Sequence, residues 1–190
     1  MNVSDPDDLG RLDRVDGHVL VTFTRRLRQS PTTVWRALTE PDHLAAWFPS
    51  TFVGERVPGA RLRFALRDDV APPFDGEMLA YEPASLLMVR WGDEVLRFDV
   101  ESDGAGTVLT LTVTFDEIGK GARDGAGWHA CLDLLGYAVD GGEAPWSSAD
   151  RWTQVHPTYV GRFGPEASTI GPPYESQRVH GRTGERSAAD

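Results

Sequence analysis

Between His18 and Phe115 the chain alternates apolar and polar positions, with one helical interruption. In HVLVTFTRRL, Val19, Val21 and Phe23 alternate with Leu20, Thr22 and Thr24, which predicts a strand with one strongly apolar face. In QSPTTVWRALTEPDHLAAWF, Ser30 suits a helix cap and Pro31 its first position. Val34, Trp35 and Leu38 follow helical spacing. Pro41 forces a break and a second start, and Leu44, Trp47 and Phe48 form the next apolar face. Two short helices are expected. From Thr51 the period returns to two. TFVGE, RLRFALR, FDGEMLAY, LLMVRW, VLRFDVES and TVLTLTVTF are separated by the turn segments PGA, EPAS, GDE and SDGAG. Six further strands with short turns imply an antiparallel meander covered on one face.

The cover comes from GARDGAGWHACLDLLGYAVDGG. Trp128, Leu132, Leu135 and Val139 recur at 4, 3 and 4 residues, and Cys131, Leu134 and Ala138 widen the stripe. Asp124, His129, Asp133 and Asp140 fall mostly off it, so His129 is expected toward solvent. Gly141 and Gly142 end the helix. The predicted class is α+β with a helix-grip architecture. A curved seven-stranded antiparallel sheet wraps around a long C-terminal helix, with two short helices after strand 1. A curved sheet and one helix close imperfectly, and the gap between them is a ready apolar cavity.

The flanks read differently. Residues 1–16 are polar and acidic and are expected to form a flexible leader, with the domain itself at 17–142. Residues 143–173 carry Trp146, Trp152, Tyr159 and Phe163 among Pro and Gly, and are expected to be a partly ordered aromatic extension. It is open to three uses: packing on the sheet, capping the cavity, or supporting a homodimer contact. Residues 174–190 are expected to be disordered.

Composition narrows the partners. The 190 residues carry 19 Lys and Arg against 29 Asp and Glu, a net charge of −10. Such a balance disfavours nucleic acid and anionic membrane surfaces, because both need basic contacts. No apolar run reaches the length of a membrane span, so no membrane insertion is expected. The acidic N-terminus lacks the order of a secretory signal. Cys131 is the one cysteine, so no intramolecular disulfide forms. A cytoplasmic location is the expectation.

The segments themselves resemble a known family. SPTTVWRALTEPDHLAAWF is similar to its Pro-started helix, Val-Trp pair, second Pro and Leu-x-x-Trp ending. DGEMLAYEPASLLMVRW and GTVLTLTVTF resemble its Gly-started strand, Pro turn, Trp-ended strand and Thr-rich hairpin. GWHACLDLL resembles the start of its last helix. The family is the SRPBCC superfamily (START-like, polyketide cyclase and dehydrase-related). The nearest subgroup is that of the activator of heat-shock-protein-90 ATPase homologues. The resemblance spans 18–142 and implies the helix-grip fold, which hosts many activities. Two departures stand out. Trp47-Phe48-Pro49-Ser50 replaces paired aromatics followed by Gly-Pro, and only the acidic leader stands where the co-chaperones carry a chaperone-engaging domain.

Chemistry is sparse. There is no nucleophile elbow and no phosphate loop. His18, His43, His129, His156 and His180 lack metal-ligand spacing, so no metal, cofactor or catalytic residue is expected. Cys131 reads as a buried inert thiol. Arg61, Arg63, Arg90 and Arg97 fall on the outer face, Glu77 is ambiguous, and Arg25, Arg26 and Arg28 read as a solvated strand edge. The aromatic set is the informative one. Trp47 and Phe48 are the expected mouth of a ligand cavity, with Phe64, Trp91, Phe98, Trp128, Leu132 and Leu135 as its walls. The leading expectation is binding of a small hydrophobic molecule. The alternatives are a cyclase, aromatase or dehydratase type of enzyme, which requires an inward-facing ionisable pair, and a co-chaperone-like interaction module.

Overall fold

A computed structural model describes residues 6–67, 71–104 and 106–171. The expected 174–190 tail lies outside the described residues. Strands β1 (Arg11–Val15), β2 (His18–Leu27), β3 (Ser50–Val53), β4 (Arg61–Leu66), β5 (Phe74–Glu82), β6 (Leu86–Trp91), β7 (Glu94–Ser102) and β8 (Thr107–Phe115) form one sheet. Its order is β1-β2-β8-β7-β6-β5-β4-β3, and every neighbour pair is antiparallel. After β2 the chain crosses through helices α1 (Pro31–Thr39) and α2 (Pro41–Leu44) to the far edge. It then meanders back until β8 lies beside β2. Helix α3 (Gly121–Val139) follows, and then α4 (Ser148–Phe163).

Local chemistry sets these boundaries. The Ser30 hydroxyl accepts from Thr33 N at 3.3 Å and Pro31 opens α1. Pro41 divides α1 from α2, which is a single turn. Gly141, at φ 73°, follows the end of α3.

The sheet has eight strands, not seven. Residues 11–15, assigned by composition to a mobile leader, pair with β2 from Arg11↔Thr22 to Val15↔His18. The turn is Asp16-Gly17, with φ of 52° and 87°. Two left-handed residues make the tight turn that matches strand twist, and Asp-Gly is a strong sequence signal for it. The acidity of the segment masked that signal.

The period-two burial of β2, β7 and β8 directs Val21, Phe23, Leu96, Phe98, Leu109, Leu111 and Val113 into the core beneath α3. Helix α3 is buried on a second side as well, because α4 packs along it. The aromatic extension therefore docks on α3 instead of on the sheet. A Cβ at Gly125 would lie 2.9 Å from the rings of both Tyr159 and Phe163, so a glycine is what lets the two helices approach.

Candidate functional site

Eight aromatic rings form one connected seam under α1, α2 and α3. Trp47 and Phe48 leave α2 toward β3, with ring centroids 5.3 Å apart. Trp47 meets Phe98 edge-on at 6.1 Å, and its Nε1 donates to Ala37 O at 2.8 Å. Phe48 reaches Trp128 at 5.8 Å and Trp91 at 6.5 Å, and Trp91 meets Trp128 at 5.6 Å. From Trp91 the seam passes through Phe74 to Phe64 and Phe52. Trp91 is only half-buried, and its Nε1 donates to Ser50 Oγ at 3.2 Å.

Of the residues expected from sequence, Trp47, Phe48, Trp91, Phe98 and Trp128 touch directly along this seam. Phe64 joins them through Phe74. Leu132 and Leu135 are buried in the same core. The rings largely fill the space they surround. A gap lined by Trp47, Phe48, Phe52 and Phe98, with aliphatic groups of α1, α2 and β6, measures about 10 Å³. That is room for at most about one water, in an apolar setting that keeps it dry.

Polar groups missed from sequence border the seam. Arg67 is half-buried. Its guanidinium donates to the carbonyls of Leu44 at 2.9 Å and of Phe48, closing the end of α2. Glu94 continues the core-facing parity of Leu96 and Phe98 and is 7% exposed. Among the described residues its Oε2 is buried and unpartnered, while the carboxyl lies within hydrogen-bonding reach of Asp124. Burial first, and then the charge of Asp124 on α3, push the Glu94 carboxyl up to about 8 against the pull of Lys120 and Arg123. Arg123 holds both oxygens of Asp124, at 2.6 and 3.2 Å. Assigning Glu94 to the turn before β7 hid it; extending the β7 alternation two residues back would have found it.

A second polar cluster lies on the opposite flank of α3. His129 is fully buried, not turned to solvent, and Arg25 is buried, not a solvated edge. His129 Nδ1 lies 2.9 Å from the Tyr159 hydroxyl and 3.5 Å from Arg25. Its Nε2 lies 3.3 Å from Asp133. Gly10 N donates to the Tyr159 oxygen at 2.9 Å. The consistent arrangement has Tyr159 donating to Nδ1 and Nε2–H donating to Asp133. Asp133 also accepts from Arg25 at 3.3 Å and from Arg151 of α4 at 2.7 Å. Burial alone would raise the Asp133 carboxyl; His129, Arg25 and Arg151 outweigh it and hold it below the usual range. Burial pushes the Tyr159 phenol up to about 12. These groups fasten α4 and residues 8–10 to the domain. Periodicity within α3 could not reveal them, because the covering helix is supplied from elsewhere in the chain.

Cys131 is buried and its thiol is pushed up to about 12, chiefly by desolvation. Glu77 sits on the outer face, half-exposed, 3.7 Å from Arg90. Among the described residues no group of His, Cys, Asp and Glu is placed to hold a metal, and no helix is long and apolar enough to cross a membrane.

An antiparallel curved sheet closed by the long helix α3, with a paired-helix crossover after the second strand, defines a helix-grip protein of the SRPBCC superfamily. Within it the chain belongs to the family described as activator of Hsp90 ATPase homolog 1-like protein, which matches residues 28–140. No curated protein matches it. EF2215 from Enterococcus faecalis, a conserved protein of unknown function, is 21% identical with a TM-score of 0.65; the match covers 82% of this chain and 92% of that one. CalU16 from Micromonospora echinospora is 20% identical with a TM-score of 0.64, over 81% and 95% of the two chains. The AHSA1-like protein from Aeromonas hydrophila is 20% identical with a TM-score of 0.52, over 64% and 92%. At these identities the likeness establishes the fold.

Proposed function

We propose that this protein binds a small hydrophobic molecule along the aromatic seam between sheet and α3. The observation that carries the reading is the seam itself. It runs without a break from beneath α1 and α2 to the half-buried Trp91, and it is closed on one side by a one-turn helix. The gap of about 10 Å³ describes a shut state, so a ligand enters by moving rings aside. Trp47 and Phe48 are the mobile rings in this reading, because α2 offers them little support. Trp91, Phe98 and Trp128 are the walls, and Phe64, Leu132 and Leu135 back them. Burial of ligand supplies the affinity, at about 25 cal/mol per Å² of apolar surface.

The test is native mass spectrometry of freshly purified protein, paired with a denatured organic extract. A reproducible non-covalent mass, lost in folded Trp91→Ala and Trp128→Ala variants, supports the reading. An empty protein that gains no thermal stability from a panel of lipids, polyketides and flavonoids rejects it.

The inward-facing pair Glu94–Asp124 favours one second reading, an enzyme of the cyclase, aromatase or dehydratase type. The exposed large apolar side chains Val15, Val53, Val57, Tyr137 and Val160 are spread over β1, β3 and the loop after it, α3 and α4. That dispersal gives the interaction-module reading no comparable support.

A further inference from the structure

The gap in the seam has Leu38 of α1 and Phe52 of β3 among its walls. Arg56, in the loop after β3, spans the same two elements. Its guanidinium carbon stands 4.1 Å from the centroid of the Phe52 ring. Its Nη2 reaches the carbonyl of Thr39, the last residue of α1, at 3.5 Å, and its Nη1 donates to Gly54 O at 3.2 Å. A cation is thus stacked on a ring that closes the gap. These contacts use two of its N–H groups and leave the rest of the fork for a further acceptor.

The guanidinium lacks a carboxylate. Among the described residues its hydrogen bonds go to those two carbonyls and to no acid, its exposed chain neighbour Glu55 included. The chain has a net charge of −10, and Arg36, Arg63, Arg97 and Arg123 each hold an acid at 2.6–2.8 Å. Glu40, the residue after Thr39, is the one taken by Arg36. Partial burial strips water from Arg56 and lowers its pKa. Tyr81 of β5, half-buried against Trp35 at 5.3 Å, is close enough to act on it electrostatically. A partly dehydrated cation beside an apolar gap suits an amphipathic anion, with its head on the fork and its body among the rings.

We infer that Arg56 is the polar anchor at the mouth of the seam, pairing with the carboxylate of a hydrophobic acid whose apolar body enters past Phe52, Trp47 and Phe48. The inference rests on the ligand-binding reading above and adds the chemical class of the ligand. The fork meets a planar carboxylate with two parallel N–H donors, and an uncharged ligand of the same shape gains less from it. The long contact to Thr39 O is the one that the carboxylate replaces, so binding at the anchor frees the loop from α1.

Equilibrium dialysis of 2-naphthylacetate and its uncharged isostere 2-naphthylacetamide tests this at pH 7.5. A charge-assisted hydrogen bond is worth about tenfold in affinity or more, so the wild type is expected to prefer the acid by about tenfold. Arg56→Gln, and Arg56→Met, which keeps an apolar chain over Phe52, should each bind the two probes equally. Arg63→Gln, on the outer face, removes the same unit of charge and should keep the preference. Equal binding of the two probes to wild type overturns the anchor and leaves the seam as a binding site. So does a preference that survives in a folded Arg56 variant, or one that Arg63→Gln abolishes as fully as Arg56→Gln. Failure of both probes to bind any form overturns the seam reading and the anchor with it.

Discussion

The Tyr159 hydroxyl lies 2.9 Å from His129 Nδ1 and accepts from Gly10 N at the same distance. One oxygen on the C-terminal helix thus satisfies a group on α3 and a backbone donor next to the first strand. Tyr159→Phe leaves both to find other partners inside the protein. We expect a loss of about 1–3 kcal/mol, because unsatisfied buried groups keep their full desolvation cost. Urea denaturation measures it, and an unchanged midpoint would show that the oxygen is dispensable.

Asp133 gives the same interface an acid limit. Its folded-state value lies below the ordinary 3.8, so its contribution is fully present above pH 3.8 and is lost as pH falls through the folded-state value. Helix α4 should loosen in acid, seen as faster amide exchange across Ser148–Phe163 before the sheet opens. Asp133→Asn should cost about 3–5 kcal/mol at neutral pH, because it removes the buried carboxylate that Arg25 and Arg151 share. A variant as stable as wild type would contradict that.

Glu94 acts in the opposite sense. Its carboxyl is raised from an ordinary 4.5 to about 8. Its contribution is therefore fully present below pH 4.5, declines as pH rises, and is gone once pH passes about 8. The slope is at most about 1.4 kcal/mol per pH unit. Denaturation between pH 5 and 9 should show this decline in wild type and a flatter curve in Glu94→Gln. Parallel curves would remove the proton from the account.

Gly125→Ala tests how closely α3 and α4 approach. Alanine is worth about 1 kcal/mol more than glycine inside a helix. Here its methyl would meet Tyr159 and Phe163 at 2.9 Å, and Tyr159 is held in place by its hydrogen bonds. Overpacking costs about 1–3 kcal/mol, so a net loss near 1 kcal/mol is expected. A rise in Tm would mean that the rings yield easily.

Cys131 reports on opening of the core. Buried, with its thiol pushed up to about 12, it should resist Ellman's reagent in the folded protein and react once denaturant is added. Rapid labelling of the native protein would reveal an open state of the seam at equilibrium.

The element order from His18 to Gly142 was legible because each strand shows its period and each helix its Pro or Gly boundary. The aromatic members of the seam were legible for the same reason: they lie on the apolar faces. Glu94 and Arg25 were not, although both continue a visible alternation, because a charge in an inward position reads as a turn or an edge. His129 was beyond reach. Its burial depends on α4, whose Ser147–Asp150 capping box is a usable start signal but whose Pro157 argues against a continuous helix.

The hydrogen bond between Gly10 and Tyr159 joins residues 149 positions apart. Its consequence concerns the order of assembly. Sheet neighbours from β3 to β8 meet through short turns and can form as they are made, but β2 must wait for β8, and the β1 end must wait for α4. During synthesis the N-terminal hairpin therefore spends most of translation without its final partners. The contact between Gly10 and Tyr159 closes only after α4 has emerged, so a pairing of very long sequence separation completes the β1 edge of the fold.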